Sequence, residues 1–375
     1  MTQQKALVGI TECRFEPLHN GHVFMVMMAY QLLKMQATVK GVDFILHVIV
    51  CSHDGEILSG HKRFLWAKRT FGGYDNIQVH HAHNSLEHIS GYGTDYSGPG
   101  YTTSWEFWAK VAMEQCNLHD TIDYVYGSEG YVEGIAKYCD AEPVLIDQSR
   151  DTITVSGTIM RNSPYDNWDY FPDAVRSDFA KKVCLIGSPY TGKKALASAL
   201  SQHYRTPLIG DVSDTVYNPD LRGCTKADLE QIARLHTVRA EALMQQANKV
   251  AISDSDTLLT AAWYEWKFGG PLPTWMFDQA NTKRFDLYVF TESAGRAFRP
   301  SNTFRDEDDW HEFSDHIKGM LCNLKWPYVC VDGPLDRQLS KAVPAIDCMQ
   351  WFAEPGQDGR VGWFPGTQAN VGYVQ

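Results

Sequence analysis

The chain has 375 residues, 44% hydrophobic and 12% aromatic, with a formal net charge of −11. That length admits two domains with separate cores, and the acidic balance argues against a counterion-releasing grip on nucleic acid. No apolar run reaches membrane-spanning length, and the nine cysteines are scattered without a CxxC pair, which points to reduced thiols and away from a disulfide or zinc framework.

In chain order, polar and small residues lead directly into Leu7-Val8-Gly9-Ile10 without the apolar core of a signal peptide, so a cytoplasmic location is expected. Residues 6–13 predict a strand, His22 to Met35 a helix, and Asp43 to Cys51 a strand whose unbroken apolar run suits a parallel sheet. A helix at Arg63–Phe71, a strand at Ile77–His81, a helix at Ser104–Cys116 and strands at Tyr124–Tyr126 and Pro143–Ile146 continue a Rossmann-like alternation. His80, His81 and His83 read as a solvated strand edge, because three histidines of one short strand rarely converge on one ion. The glycine-rich run from Gly91 to Tyr101 reads as a loop.

Ser156 opens a short helix that Asn162-Ser163-Pro164 ends. A new strand begins at Lys182–Ile186, followed by helices at Lys193–His203 and Thr225–Asn248 and strands at Val250–Ser253 and Leu287–Phe290. The expected organisation is therefore α/β twice: a Rossmann-like domain over 1–172, a second α/β domain over 181–347, and a tail over 348–375 whose Trp351, Phe352, Trp363 and Phe364 serve packing.

Two motifs carry chemistry. Arg14-Phe15-Glu16-Pro17-Leu18-His19-Asn20-Gly21-His22 joins the first strand to the first helix. Gly21 lets the backbone come close, the helix N-terminus adds its positive end, and two imidazoles stand beside the phosphates of a bound triphosphate. In nucleotidyl transfer a phosphate oxygen attacks the α-phosphorus in line and pyrophosphate leaves, so the protein positions reactants and stabilises charge. His19 and His22 then act as donors to a developing anion, and no covalent nucleophile is required. Arg161, one turn into the helix opened by Ser156-Gly157-Thr158, suits the leaving pyrophosphate. The bland reading of the two histidines is a helix cap.

The second motif, Gly187-Ser188-Pro189-Tyr190-Thr191-Gly192-Lys193-Lys194, is a P-loop with a defect. Gly187, Gly192 and Lys193 are in place for the phosphates, but the Ser or Thr that would hold Mg²⁺ is replaced by Lys194, whose ammonium has no lone pair. Asp254 and Asp256, after the strand Val250–Ser253, are candidates for holding Mg²⁺, and Asp254 for activating a hydroxyl.

The order of these parts, with Arg63-x-x-Trp66, Gly127-Ser128-Glu129 and Trp168-Asp169-Tyr170-Phe171-Pro172 between them, resembles the NadR-type bifunctional enzymes. In that family a nicotinamide-mononucleotide adenylyltransferase domain precedes a P-loop ribosylnicotinamide kinase domain. The resemblance runs from about Val8 to about Asp347 and implies ATP over His19, His22, Gly127 and Arg161, with Arg14, Phe15, Gly21, Ser156 and Thr158 around it. It places the nicotinamide nucleotide opposite, near Arg63 and against an aromatic side chain; Trp105 is the candidate for stacking on the cationic ring, helix packing being its other reading. Asp254 and Asp256 match the family's acidic pair. Arg296, Arg299 and Arg305 fall where related kinases carry lid arginines, or else form a solvated loop. Asp211 and Asp214 stand where the family has a Glu and an Arg, which with Lys194 puts kinase activity in doubt. The chain starts at the first strand, so the DNA-binding segment of some members and its repressor activity are not carried over.

The implied function is NAD salvage: ATP and nicotinamide mononucleotide (NMN) give NAD and diphosphate with Mg²⁺, and nicotinamide riboside is phosphorylated to NMN. The implied partners are these small molecules, with no nucleic acid and no membrane, and with a homo-oligomer permitted. The rivals are an adenylyl- or cytidylyltransferase for another phosphate acceptor, and a nucleotide sensor without turnover.

Overall fold

Leu7–Cys13 (β1) is buried on both faces until its last residue, and it forms the centre of the first sheet. Phe44–His53 (β2), Ile77–Asn84 (β3), Tyr124–Gly127 (β4) and Glu142–Leu145 (β5) complete that sheet in the order β3-β2-β1-β4-β5. Every pairing is parallel, with Gly9 opposite Leu46 on one side and Tyr124 on the other. Gly9 has no alternative, since a Cβ there would meet Leu33 and Tyr126 at 2.9 Å. That close approach seats the helix Asn20–Lys40 on the sheet.

The computed structural model describes residues 5–54, 56–84, 109–110, 112–119, 121–217, 223–282, 284–293, 296–298, 303–353 and 361–364. The chain divides into two compact units, residues 1–175 with 353–361 and residues 176–352 with 362–375. The first helix runs five residues beyond the expected Met35, because no Gly or Pro intervenes between Met35 and Gly41, which ends it in the left-handed region at φ 67°. Of the expected helix Ser104–Cys116, residues 109–110 and 112–115 are helical and the rest of its N-terminal half lies outside the described residues, as does the whole loop Gly91–Tyr101.

The second unit repeats the plan. Lys181–Ile186 (β6), Leu208–Ile209 (β7), Val250–Ser253 (β8), Leu287–Thr291 (β9) and Tyr328–Val331 (β10) form a parallel sheet in the order β10-β9-β6-β8-β7. The first strand of each unit thus lies between strands reached by opposite crossovers. In such sheets a crevice opens past the carboxyl end of that strand, and both motifs of the sequence follow it directly.

Gln350–Ala353 (β11) and Val361–Phe364 (β12) pair with each other. Trp351 lies 5.0 Å from the ring of Phe179 and 5.4 Å from Trp363, whose indole N–H donates to the Phe179 carbonyl at 2.8 Å. Lys181, at the start of β6, is buried with its ammonium 4.8 Å from the Trp363 ring and bonded to the carbonyls of Ile346 and Asp347 at 2.8 and 3.1 Å. Among the described residues no helix is long and apolar enough to cross a membrane.

The core of the second unit gathers Tyr288, Phe290, Trp310, Phe313 and Trp326. Trp310 is fully buried, and its indole N–H donates to the carbonyl of Pro189 at 3.0 Å, so the core holds the loop after β6 directly. Trp310→Ala is expected to cost the second unit about 3–5 kcal/mol. Urea unfolding followed by circular dichroism checks this; a loss below about 1 kcal/mol would show that the indole is not the anchor described.

Candidate functional site

In the first unit the loop after β1 carries its histidines inward. His19 is the N-cap of the helix Asn20–Lys40 and is 5% exposed. Its ring stacks on that of His22 at 3.7 Å with an interplanar angle of 22°, and Phe15 meets His22 edge-on at 5.0 Å. Burial, with the positive charge of Arg150 nearby, pushes His19 down to about 3. Burial, then the influence of His19 and Arg150, holds His22 well below the usual imidazole range. Both rings are therefore neutral near pH 7. Such a ring donates through one nitrogen and accepts through the other. His22 Nδ1 accepts the His19 backbone N–H at 3.4 Å, while His19 Nδ1 is buried without a partner.

Gly21 has a packing reason of its own. A Cβ there would lie 3.0 Å from the His19 ring, so this glycine makes room for the imidazole itself. Gly157 is demanded in the same way, since its Cβ would meet the Glu16 carbonyl at 2.5 Å and Arg161 Nη1 at 3.1 Å. Ser156 caps the helix Gly157–Asn162 by accepting from Ile159 N at 3.3 Å. From that helix Arg161 donates to the Glu16 carbonyl and to Thr158 Oγ1. The structure thus brings Arg161, Ser156 and Thr158 to the loop that carries His19 and His22.

Arg14 donates to Glu56 Oε1 and Glu16 Oε2, both at 2.8 Å, with its side chain 58% exposed. Arg63 differs from its expected role. It is fully buried, and its guanidinium donates to the carbonyls of Leu58, Arg14 and Cys51 and to Glu56. With those donors engaged it braces the Arg14 loop from beneath and does not face a substrate. Gly127 is set by packing, since a Cβ there would lie 2.5 Å from Val132. Trp105 lies outside the described residues. The sequence reading missed Arg150, which sits in a turn at φ 56°, pairs with Glu129 at 2.7 Å and biases both imidazoles. Its only signal was the neighbouring Gly127-Ser128-Glu129.

His80, His81 and His83 turn to protein partners. His80 bonds the His47 ring at 2.9 Å, while His81 and His83 share the Ser52 hydroxyl at 2.8 and 2.9 Å.

In the second unit the loop after β6 wraps on itself. Gly187 has φ 145° and its Cβ would meet Thr291 at 2.5 Å; Gly192 has φ 96°. Lys193 is half-buried, its ammonium bonded to the carbonyls of Gly187 and Ser188 at 2.8 and 3.1 Å. Burial pushes it down to about 8 against the pull of Asp254 and Asp211. Thr191 is tied to Ser188 and Thr291, each at 2.7 Å, and Gln338 donates to the Thr191 carbonyl at 3.0 Å. Three buried polar atoms here have no partner: Ser188 Oγ, Asp254 Oδ1 and Arg296 Nε. Arg296 also reaches within 3.0 Å of where a Gly192 Cβ would stand, so it lies over the loop. Arg305 pairs with Asp309 at 3.0 Å instead, and Arg299 is outside the described residues.

Asp256 does not serve as the expected metal ligand. Its Oδ1 caps the helix Thr257–Phe268 by accepting from Leu259 N at 3.0 Å, and its Oδ2 accepts the Tyr288 hydroxyl at 2.9 Å. Both oxygens are spent. Asp254 keeps one free oxygen, and burial beside Asp211 pushes it up to about 6. Lys194 points to Asp214 Oδ2 at 3.3 Å.

Residues 182–338 match a family model described as an AAA domain. The chain is 24% identical over 303 residues to the trifunctional NAD biosynthesis/regulator protein NadR of Escherichia coli (strain K12), covering 78% of this chain and 70% of the relative. A crystal structure of NadR in complex with NR superposes with a TM-score of 0.68 at 18% identity, over 92% of this chain and 95% of the other. A second, of NadR with NAD and AMP-PNP, gives 0.67 at 19% identity, over 90% and 95%. The chain thus shares the fold of these NadR structures over nine tenths of its length.

The buried imidazoles predict a pH dependence. A histidine whose folded pKa is depressed stabilises the fold fully above its unfolded value of 6.5, and this contribution is lost as pH falls toward about 3. Glu12, pushed up to about 7 by burial, acts in the opposite sense, but equally in a His19→Asn variant. Between pH 6.5 and 4.5 the wild type is expected to lose about 1.4 kcal/mol per pH unit relative to that variant. Parallel denaturation curves across this window would show that His19 is charged in the folded protein.

Proposed function

We propose that this chain, similar to NadR across both units, makes NAD in two steps: phosphorylation of nicotinamide riboside in the second unit and adenylyl transfer from ATP to NMN in the first. In adenylyl transfer an NMN phosphate oxygen forms a bond to the α-phosphorus of ATP as the bond to the β-phosphate bridging oxygen breaks, and diphosphate leaves. His19 and His22 donate to the α- and β-phosphates. Arg161 and Arg14 meet the leaving diphosphate, with Thr158 and the backbone at Gly21, Gly127 and Ser156 lining the nucleotide. Trp105, which lies outside the described residues, is the residue proposed to stack on the nicotinamide ring. Arg150, whose charge is felt at both imidazoles, adds positive charge to the same cradle.

The observation that carries this reading is the stacked, uncharged His19–His22 pair, with a buried nitrogen left unbonded and Arg161 held on the same loop. A neutral imidazole keeps an N–H for a phosphate oxygen without the cost of burying its own charge. Mg²⁺ enters with ATP as its phosphate complex, because the nearby carboxylates Glu16 and Glu56 are engaged by Arg14 and Arg63.

In the second unit the riboside hydroxyl attacks the γ-phosphorus of ATP and ADP leaves. Asp254, with its unpartnered oxygen, accepts the hydroxyl proton, and Lys193 and Arg296 hold the phosphates. Nucleotide binding without turnover is the second reading of this unit, and Lys194 is the observation that favours it.

Incubation with ATP and NMN is expected to yield NAD and diphosphate, and His19→Ala to lower kcat by about 10²–10³-fold with a modest change in ATP affinity. Failure to form a dinucleotide from NMN, with turnover of another phosphate acceptor, would assign a different substrate. Incubation with ATP and nicotinamide riboside is expected to yield NMN and ADP; binding of ATP with no NMN formed would favour the second reading.

A further inference from the structure

Magnesium takes near-octahedral oxygen ligands and keeps several of its waters, so a P-loop needs to supply only a few donors, one of them the hydroxyl that follows its lysine. That position is Lys194, an ammonium without a lone pair. The other hydroxyl of the loop's end, Thr191, is bonded to Ser188 and Thr291. Asp256 has both oxygens engaged. Asp254 offers one buried carboxylate oxygen without a partner, and Asp211 is bonded by the backbone and hydroxyl of Ser213 at 2.9 and 2.7 Å. Among the described residues no cluster of three His, Cys, Asp or Glu is placed to hold an ion. These residues do not fit a P-loop magnesium.

The residue at the position of the missing hydroxyl nonetheless brings a positive charge of its own. Lys194 lies on the first turn of the helix Lys193–Tyr204, beside Asp214 and within electrostatic reach of Asp211 and Asp254. Its side chain is 68% exposed and that of Asp214 is 77% exposed. An ion pair this wet holds its partners weakly, so the ammonium is free to turn onto an entering phosphate. We propose that Lys194 replaces the metal, so that the second unit binds a nucleoside triphosphate without a divalent cation, its β- and γ-phosphates gripped by Lys193, Lys194 and Arg296. This rests on reading the second unit as a nucleotide site. It asks of Lys194 what an ammonium does well, point-charge pairing with three rotatable donors.

Equilibrium dialysis of the full chain against labelled AMP-PNP tests it, with either EDTA or MgCl₂ present. Lys193→Ala identifies which binding event belongs to the second unit. In the wild type that event is expected to change by less than about threefold between EDTA and Mg²⁺. Lys194→Ser is expected to weaken it by about tenfold or more in EDTA and to recover with Mg²⁺, and Mn²⁺ added with AMP-PNP should then give a bound-metal electron paramagnetic resonance signal that the wild-type second site lacks. Lys194→Gln repeats the EDTA arm should the serine variant misfold. Binding at the wild-type second site only when a divalent ion is present overturns the proposal and leaves the nucleotide reading intact. No binding there under either condition overturns both.

Discussion

A polar atom shut away from water and left unpaired costs free energy unless something arrives to bond it. In this chain several such atoms stand at the ends of the central strands: His19 Nδ1 after β1, and Ser188 Oγ, Asp254 Oδ1 and Arg296 Nε around the loop after β6. Each lies where a parallel sheet opens a crevice between opposite crossovers. The fold pays for these vacancies with ordinary core packing, for which Phe15, Phe71, Trp310 and Phe313 are fully buried.

The loops after β1 and β6 are electrostatically unlike. In the first the histidines are desolvated to neutrality, and cationic charge comes from arginines with carboxylate partners, Arg14 on Glu16 and Glu56, and Arg150 on Glu129. Those pairs fix where the guanidinium groups sit before any phosphate enters. In the second unit the cations are lysines, one folded onto its own loop and one resting on an exposed aspartate. The first arrangement is held by ion pairs between side chains, and the second by contacts of each lysine with its own loop or with a solvent-exposed carboxylate.

Much of this was legible in the residues. Strand after strand was marked by apolar runs between turn residues, and the two motifs announced their own place because each follows the first strand of its unit. What escaped depended on which neighbour a side chain finds. Arg63 sits in a recognisable motif, yet only the fold shows that its donors are consumed by Leu58, Arg14, Cys51 and Glu56. Asp256 looks like a metal ligand in the sequence and is a helix cap in space, because Leu259 and Tyr288 take its oxygens. Arg150 carries no motif, and its importance arises from through-space charge. Gly21 was recognisable as necessary, although its reason, room for its neighbour's ring, requires the third dimension.

The lysine that opens β6 bears on how the molecule is dissected. Judged by motifs, the second unit stops at Asp347, yet the ammonium of Lys181 lies beneath the indole of Trp363, and that indole is fastened to Phe179. A transplant trimmed at Asp347 would strip the aromatic roof from a buried cation at the very first residue of the central strand. Chimeras that exchange this half between related proteins must therefore carry residues 348–364 along as part of the cargo, although no recognisable signature lies within them.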